Sequence, residues 1–168
     1  FDGASLDTAK WGYRTGSRMW SEQLPANVTV SGGMLRIALR REKAGRLDYT
    51  AGGVISRQAF RYGYYEARLK MPKGRGWHTS FWMMRSGPPA GLDDRFQEID
   101  VCEQDSSDHN GYSVNWHSYK PHTSFGHKRI PGPDLSSDFH IYGADFTARH
   151  VRFYLDGELV HTIDNSAV

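Results

Sequence analysis

Cysteine is almost missing. The chain of 168 residues holds one, Cys102, which excludes an internal disulfide framework and a cysteine-built zinc site. Long apolar runs are missing as well. Phe81-Trp82-Met83-Met84 is among the longest, far short of the ~20 residues that a membrane-spanning helix needs. Charge of one sign is not in excess: 21 Lys and Arg against 19 Asp and Glu leave +2, so nothing electrostatic points to nucleic acid. No window keeps a 3.6-residue apolar period over a helical length, and no repeat, linker or low-complexity tract interrupts the chain. It opens on Phe1 with no charged-then-apolar leader, as expected of either a processed secretory protein or a trimmed fragment.

Aromatic residues, by contrast, are plentiful: 5 Trp, 9 Tyr and 8 Phe. Such rings pack well on pleated surfaces, and they can also stack on flat apolar faces such as sugar rings present. Strand signals dominate. Leu35, Ile37 and Leu39 alternate with Arg36, Ala38 and Arg40, and Val28 and Val30 keep the same period before Gly32-Gly33. Val151, Phe153 and Leu155 alternate with Arg152 and Tyr154, followed by Asp156-Gly157 and a second run. An Asp-Gly pair between two such runs predicts a two-residue hairpin, because a type I′ turn needs positive φ twice. Further strands are predicted over 62–71, 77–84, 97–103 and 112–119, with 87–91 as a loop. Many short strands separated by Gly and Pro predict an antiparallel sandwich or barrel in one domain.

The informative stretch is Glu98-Ile99-Asp100-Val101-Cys102-Glu103. In an extended strand Glu98 and Asp100 share a face, and strict alternation would turn Glu103 to the other. One extra residue, a β-bulge at Val101-Cys102, restores the parity. Three carboxylates then crowd one face, which a purely structural strand avoids. Retaining glycoside hydrolysis gives a reason for the crowding, since it needs two carboxyls about 5–5.5 Å apart. Glu98 and Glu103 lie roughly 13 Å apart at Cα, and side chains leaning toward Asp100 can close that gap. One Glu attacks the anomeric carbon; the other protonates the leaving oxygen and then activates water. Spacing does not say which does which. The bare pattern is a weak signal, because charged strand faces exposed to water are common.

The remaining polar clusters carry weaker signals. Asp93, Asp94, Asp105, Asp108 and Asn110 supply oxygens, yet 105–111 lacks the spacing of a calcium loop. His117, His122 and His127 recur every five residues, which suits neither a strand face nor a helix face, so no metal site is predicted. Cys102 is expected to be a small buried thiol. Arg57, Arg61, Arg75 and Arg95 are expected on a solvated face. Asn27-Val28-Thr29 is a glycosylation sequon.

These residues sit in a wider pattern. Phe1-Asp2-Gly3 through Trp11, 27–35, Tyr62-Gly63-Tyr64-Tyr65-Glu66-Ala67-Arg68-Leu69-Lys70, Glu98 to Glu103, Phe139-His140-Ile141-Tyr142-Gly143 and Phe153-Tyr154-Leu155-Asp156-Gly157 follow in order. Together they resemble the family 16 glycoside hydrolases, the clan of laminarinases, lichenases, agarases, porphyranases and κ-carrageenases. The resemblance implies an all-β fold: a concanavalin A-like β-jelly-roll of two curved antiparallel sheets with an open cleft. It also implies endo attack with retention. By position, Glu98 becomes the nucleophile, Asp100 its assisting carboxylate and Glu103 the acid/base.

The same resemblance makes Trp20, Trp77 and Trp82 expected sugar contacts, with Trp116 a further candidate. Trp77 and Trp82 have opposite strand parity, so one of them at most faces the cleft unless a bulge intervenes. His117 is expected beside the catalytic strand, bonded to the acid/base or to the sugar. The partner is a polysaccharide: a β-1,3 or mixed-linked glucan, or a red-algal galactan. The expected protein is secreted or at the cell surface, monomeric, and in need of no cofactor, with a structural calcium ion left open. A non-catalytic sugar-binding module and a transglycosylase on the same fold are the alternatives. Two departures stand out. The family pattern continues beyond the Phe153–Gly157 segment, so a C-terminal piece is expected to be missing. Where laminarinases show W-P-A-x-W, this chain reads Trp77-His78-Thr79-Ser80-Phe81-Trp82. That segment, with Gln97 and F-H-I-Y-G, leans toward the agarase and porphyranase side.

Overall fold

The computed structural model describes residues 1–84, 97–119 and 122–164. The predicted loop at 87–91, and Asp93, Asp94 and Arg95, lie outside them. The chain divides into two compact units, Phe1–Ala59 and Phe60–Val168. Among the described residues there is no α-helix, and none long and apolar enough to cross a membrane.

The first unit is built from short strands: β1 (Trp11–Tyr13), β2 (Gly16–Arg18), β3 (Ser21–Gln23), β4 (Val28–Ser31), β5 (Met34–Ile37), β6 (Tyr49–Ala51) and β7 (Val54–Ser56). β1 pairs with β7 and β4 with β5, both antiparallel. β3 pairs with β6 in parallel, Ser21 opposite Tyr49, a departure from the all-antiparallel expectation. Val28 and Val30 are buried, as their period predicts, whereas Ile37 and Leu39 are exposed. Among the described residues β5 pairs with β4 alone, and its second face is left largely to solvent at Ile37 and Leu39. In the folded chain the sequon asparagine is committed to the interior. Asn27 is buried, and its Nδ2 donates to Thr50 Oγ1 and Ala51 O, both at 2.9 Å. A sugar on that nitrogen would replace one of the two donated hydrogens and has no room in the buried site.

The second unit is a sandwich. Its strands are β8 (Gly63–Leu69), β9 (His78–Met84), β10 (Gln97–Asp105), β11 (Gly111–Tyr119), β12 (His122–Ser124), β13 (Lys128–Pro131), β14 (His140–Phe146), β15 (His150–Leu155) and β16 (Glu158–Asp164). One antiparallel sheet runs β12-β11-β10-β9, with β13 also on β11; the other runs β16-β15-β14-β8. Their inner faces meet in one core. Val101, Cys102, Tyr112, Val114 and Trp116 come from the first sheet, and Tyr142, Ala144, Val151, Phe153 and Ile163 from the second. Each large side chain so buried contributes about 1.5–3 kcal/mol. Cys102 is fully buried, as expected, and burial pushes its thiol well above the usual range.

The Asp156-Gly157 prediction holds in detail. Leu155 faces Glu158, and φ is 51° and 87° at the two turn residues.

Candidate active site

The site is made by an irregularity in β10. On one side Asp100 faces Trp82 and Cys102 faces Phe81, which leaves Val101 as an extra residue. On the other side Asp100 faces Asn115 and Glu103 faces Ser113. Val101 and Cys102 both sink into the core. Residues paired across strands share a face, so Glu98, Asp100 and Glu103 lie on the same outer face of the sheet. They share it with His78, Ser80, Trp82 and Met84 of β9 and with Ser113, Asn115, His117 and Tyr119 of β11. β10 is thus a central strand with its acids in a row, flanked by polar and aromatic groups.

Charge follows from that row. Asp100 is 2% exposed, and burial, then Glu103 and Glu98, push its carboxyl up to about 8, with His78 opposing. At neutral pH it holds its proton and can donate a hydrogen bond. Its Oδ2 lies 3.2 Å from His117 Nε2. Asn115 is fixed by accepting from Trp116 N at 2.9 Å and Ser124 Oγ at 2.7 Å, so its amide nitrogen faces His117 Nε2 at 2.9 Å. The network assigns the ring proton to Nδ1. At one end of the row Tyr119 Oη donates to Glu98 Oε1 at 2.9 Å. At the other, His78 stands between Glu103 Oε1 (3.3 Å from Nε2) and Asp105 Oδ1 (2.9 Å from Nδ1). Its hydrogen bond to Glu103, with Asp105 adding and burial opposing, raises the imidazole to about 9. A cavity of about 400 Å³ opens beside Glu103, and His78, Asp105, Ser113, His127 and Arg129 are among the residues lining it.

The sequence matches the description "Glycosyl hydrolases family 16" over residues 16–168. The chain belongs to this family. It is 34% identical over 163 residues to a beta-glucanase of Acetivibrio thermocellus, covering 96% of this chain and 46% of that one. It is 33% identical over 197 residues to the kappa-carrageenase of Pseudoalteromonas carrageenovora, covering 95% and 48%. The laminarinase of Rhodothermus marinus superposes with a TM-score of 0.82 at 25% identity, over 99% of this chain and 72% of that one. The chain spans about half the length of the curated relatives it matches. The all-β sandwich of this family-16 chain is the jelly-roll expected. Two of its motif segments meet directly: Asp156 accepts from Ile141 N at 2.8 Å and lies 2.7 Å from His140 Nδ1.

The expected sugar contacts separate. Trp82 faces Asp100 across the strands and lies on the acid face. Trp77, of opposite parity, is not available to a sugar: it is 9% exposed, packs in the core and donates Nε1 to Lys73 O. Trp116 is core as well. Trp20 belongs to the first unit, 80% exposed at the tip of the β2–β3 hairpin. His117 contacts Asp100, not Glu103. His78, Asn115 and Tyr119 were not among the sequence candidates. A correct register from Trp82 back along β9 would have placed His78 on the acid face, but register is invisible before strands are paired.

Among the described residues, Glu98, Asp100 and His117 offer ligand atoms within 4.8 Å of one another, close enough for a cation. Two carboxylates of the 105–111 segment are otherwise engaged: Asp105 with His78, and Asp108 with Arg129 and with Asn110 N.

Proposed function

We propose that this chain carries the catalytic row of a retaining endo-hydrolase that cleaves a β-linked polysaccharide. The carrying observation is the β10 bulge, which sets Glu98, Asp100 and Glu103 on one face. In this reading Glu98 attacks the anomeric carbon while Glu103 passes its proton to the departing glycosidic oxygen. The bond electrons leave with that oxygen, and a sugar ester of Glu98 remains. Water then attacks the same carbon, gives its proton to Glu103 and releases Glu98, so two inversions restore the configuration. Asp100, neutral between the two, donates a hydrogen bond to the Glu98 carboxylate and spares it a third adjacent negative charge. Trp82, on the same face, offers a ring to the sugar.

The relatives named beta-glucanase and kappa-carrageenase support two substrate classes, a β-glucan and a red-algal galactan. Polymers of either kind are too large to enter a cell, which supports a secreted or surface-held enzyme. Double displacement needs no cofactor. The test is product release from laminarin, lichenan, agarose, porphyran and κ-carrageenan, with proton NMR of the first product. Retained configuration is the expected result; inverted product, or binding without turnover on all five, overturns the reading. Products longer than the substrate would show an acceptor sugar replacing water.

A further inference from the structure

His78 lies in the six-residue segment Trp77–Trp82, where laminarinases show the five-residue pattern W-P-A-x-W. It points onto the acid face by register, opposite Asp105 and two residues from Ser80, which faces Glu103. Both ring nitrogens have acidic partners, Glu103 Oε1 at 3.3 Å and Asp105 Oδ1 at 2.9 Å. An imidazole can donate at both nitrogens only as the cation. The two carboxylates that it touches favour that state. On β10 they are Glu103 and Asp105, with Asp100 behind; Asp108, His127 and Arg129 line the shared cavity, and Arg129 is paired with Asp108.

We propose that His78 is a positioning residue: a charged strut, anchored on Asp105, that holds Oε1 of Glu103 and leaves Oε2 as the oxygen that carries the transferred proton. Glu103 sits on an open sheet face with serines across from it on both neighbouring strands. Among the described residues, the donor that fixes its carboxyl plane is His78 Nε2 at Oε1. Oε2 then gives its proton to the glycosidic oxygen as the C–O bond breaks, and takes one from water in the second step. The inference rests on the proposed hydrolysis for its consequence, and on His78, Glu103 and Asp105 alone for its geometry.

Two measurements separate these. The first is an NMR titration of the His78 ring in the complete protein. The expected midpoint lies well above 6.5 and falls in both Asp105→Asn and Glu103→Gln; an ordinary midpoint that neither change moves overturns the strut, whether or not the protein has activity. The second compares leaving groups in His78→Ala. A sugar leaving group needs the proton of Glu103, and a 2,4-dinitrophenyl group does not. The expected result is a fall in kcat/KM of about tenfold or more on the oligosaccharide of the preferred glycan. The loss on its dinitrophenyl glycoside should stay within about twofold, because kcat/KM reports the first step alone. His78→Gln, which keeps one donor, should restore part of the loss. Equal losses on both substrates would mean that His78 merely supports the fold, and they overturn the positioning role. A protein with the raised midpoint but no cleavage of any glycan keeps the strut and refutes the hydrolase reading.

Discussion

Trp82 and Asp100 stand directly opposite each other on neighbouring strands, and the next pair along β10 is out of step by one residue. That pairing is the last regular rung before the bulge. It ties the aromatic ring and the buried acid to one face, and it sets the parity by which Glu103 returns to that face.

Glu98→Gln and Glu103→Gln should each lower turnover by about 10²–10⁴-fold. Both swaps keep shape and hydrogen-bonding capacity, so far-UV circular dichroism and the melting temperature should stay close to wild type. Asp100→Asn should lower turnover less than either, because an amide can still donate to the Glu98 carboxylate. Reducing-sugar release on the preferred glycan measures all three, and near-full activity in either Gln variant would reverse the role assignment.

Two groups make folding pH-dependent in the same direction. The carboxyl of Asp100 rises from its ordinary 3.8 to about 8 in the folded chain, and the imidazole of His78 from 6.5 to about 9. A group with a raised folded pKa binds more protons folded than unfolded between those two values. Stability therefore falls as pH rises through that window. Urea midpoints should decline from pH 4 to 8 on account of Asp100 and from 6.5 to 9 on account of His78. Asp100→Asn should flatten the first slope and His78→Gln the second.

When the chain is produced in a glycosylating host, the folded fraction should carry no sugar on Asn27, because its amide nitrogen is bonded and buried in the fold. Asn27→Ala should lower stability by about 1–3 kcal/mol by leaving Ala51 O and Thr50 Oγ1 without their donor. Intact-mass measurement checks the first expectation and denaturant unfolding the second.

Phe153 lies at the centre of the sandwich core, fully buried on β15. Phe153→Ala should lower stability by about 3–5 kcal/mol through lost burial and the void left behind. Leu159→Ala on the next strand, more than half exposed, should cost less than about 1 kcal/mol. Chemical denaturation of the pair distinguishes core from surface on neighbouring strands.

Much of this was legible because it depends on local chemistry. Asp156-Gly157 could adopt its turn wherever the hairpin landed, and the three acids needed only strand parity and one extra residue. What was not legible depends on pairing. Trp77 looked as able as Trp82 to meet a sugar until β9 was set against β10 and turned it inward. Ile37 and Leu39 alternate like buried residues, yet alternation does not say whether a second layer covers the face. His78 looked unremarkable because its two partners, 25 and 27 residues away, are brought to it by register alone. The parallel β3–β6 pair joins segments too short to announce their direction.

The single surplus residue in β10 makes the strand intolerant of shortening in a way that an inventory of its acids would miss. Excising Val101 would leave Glu98, Asp100 and Glu103 all present, and would rotate the third of them toward the greasy interior between the sheets. Such a deletion would give a polypeptide with a complete set of reactive groups and no working machine.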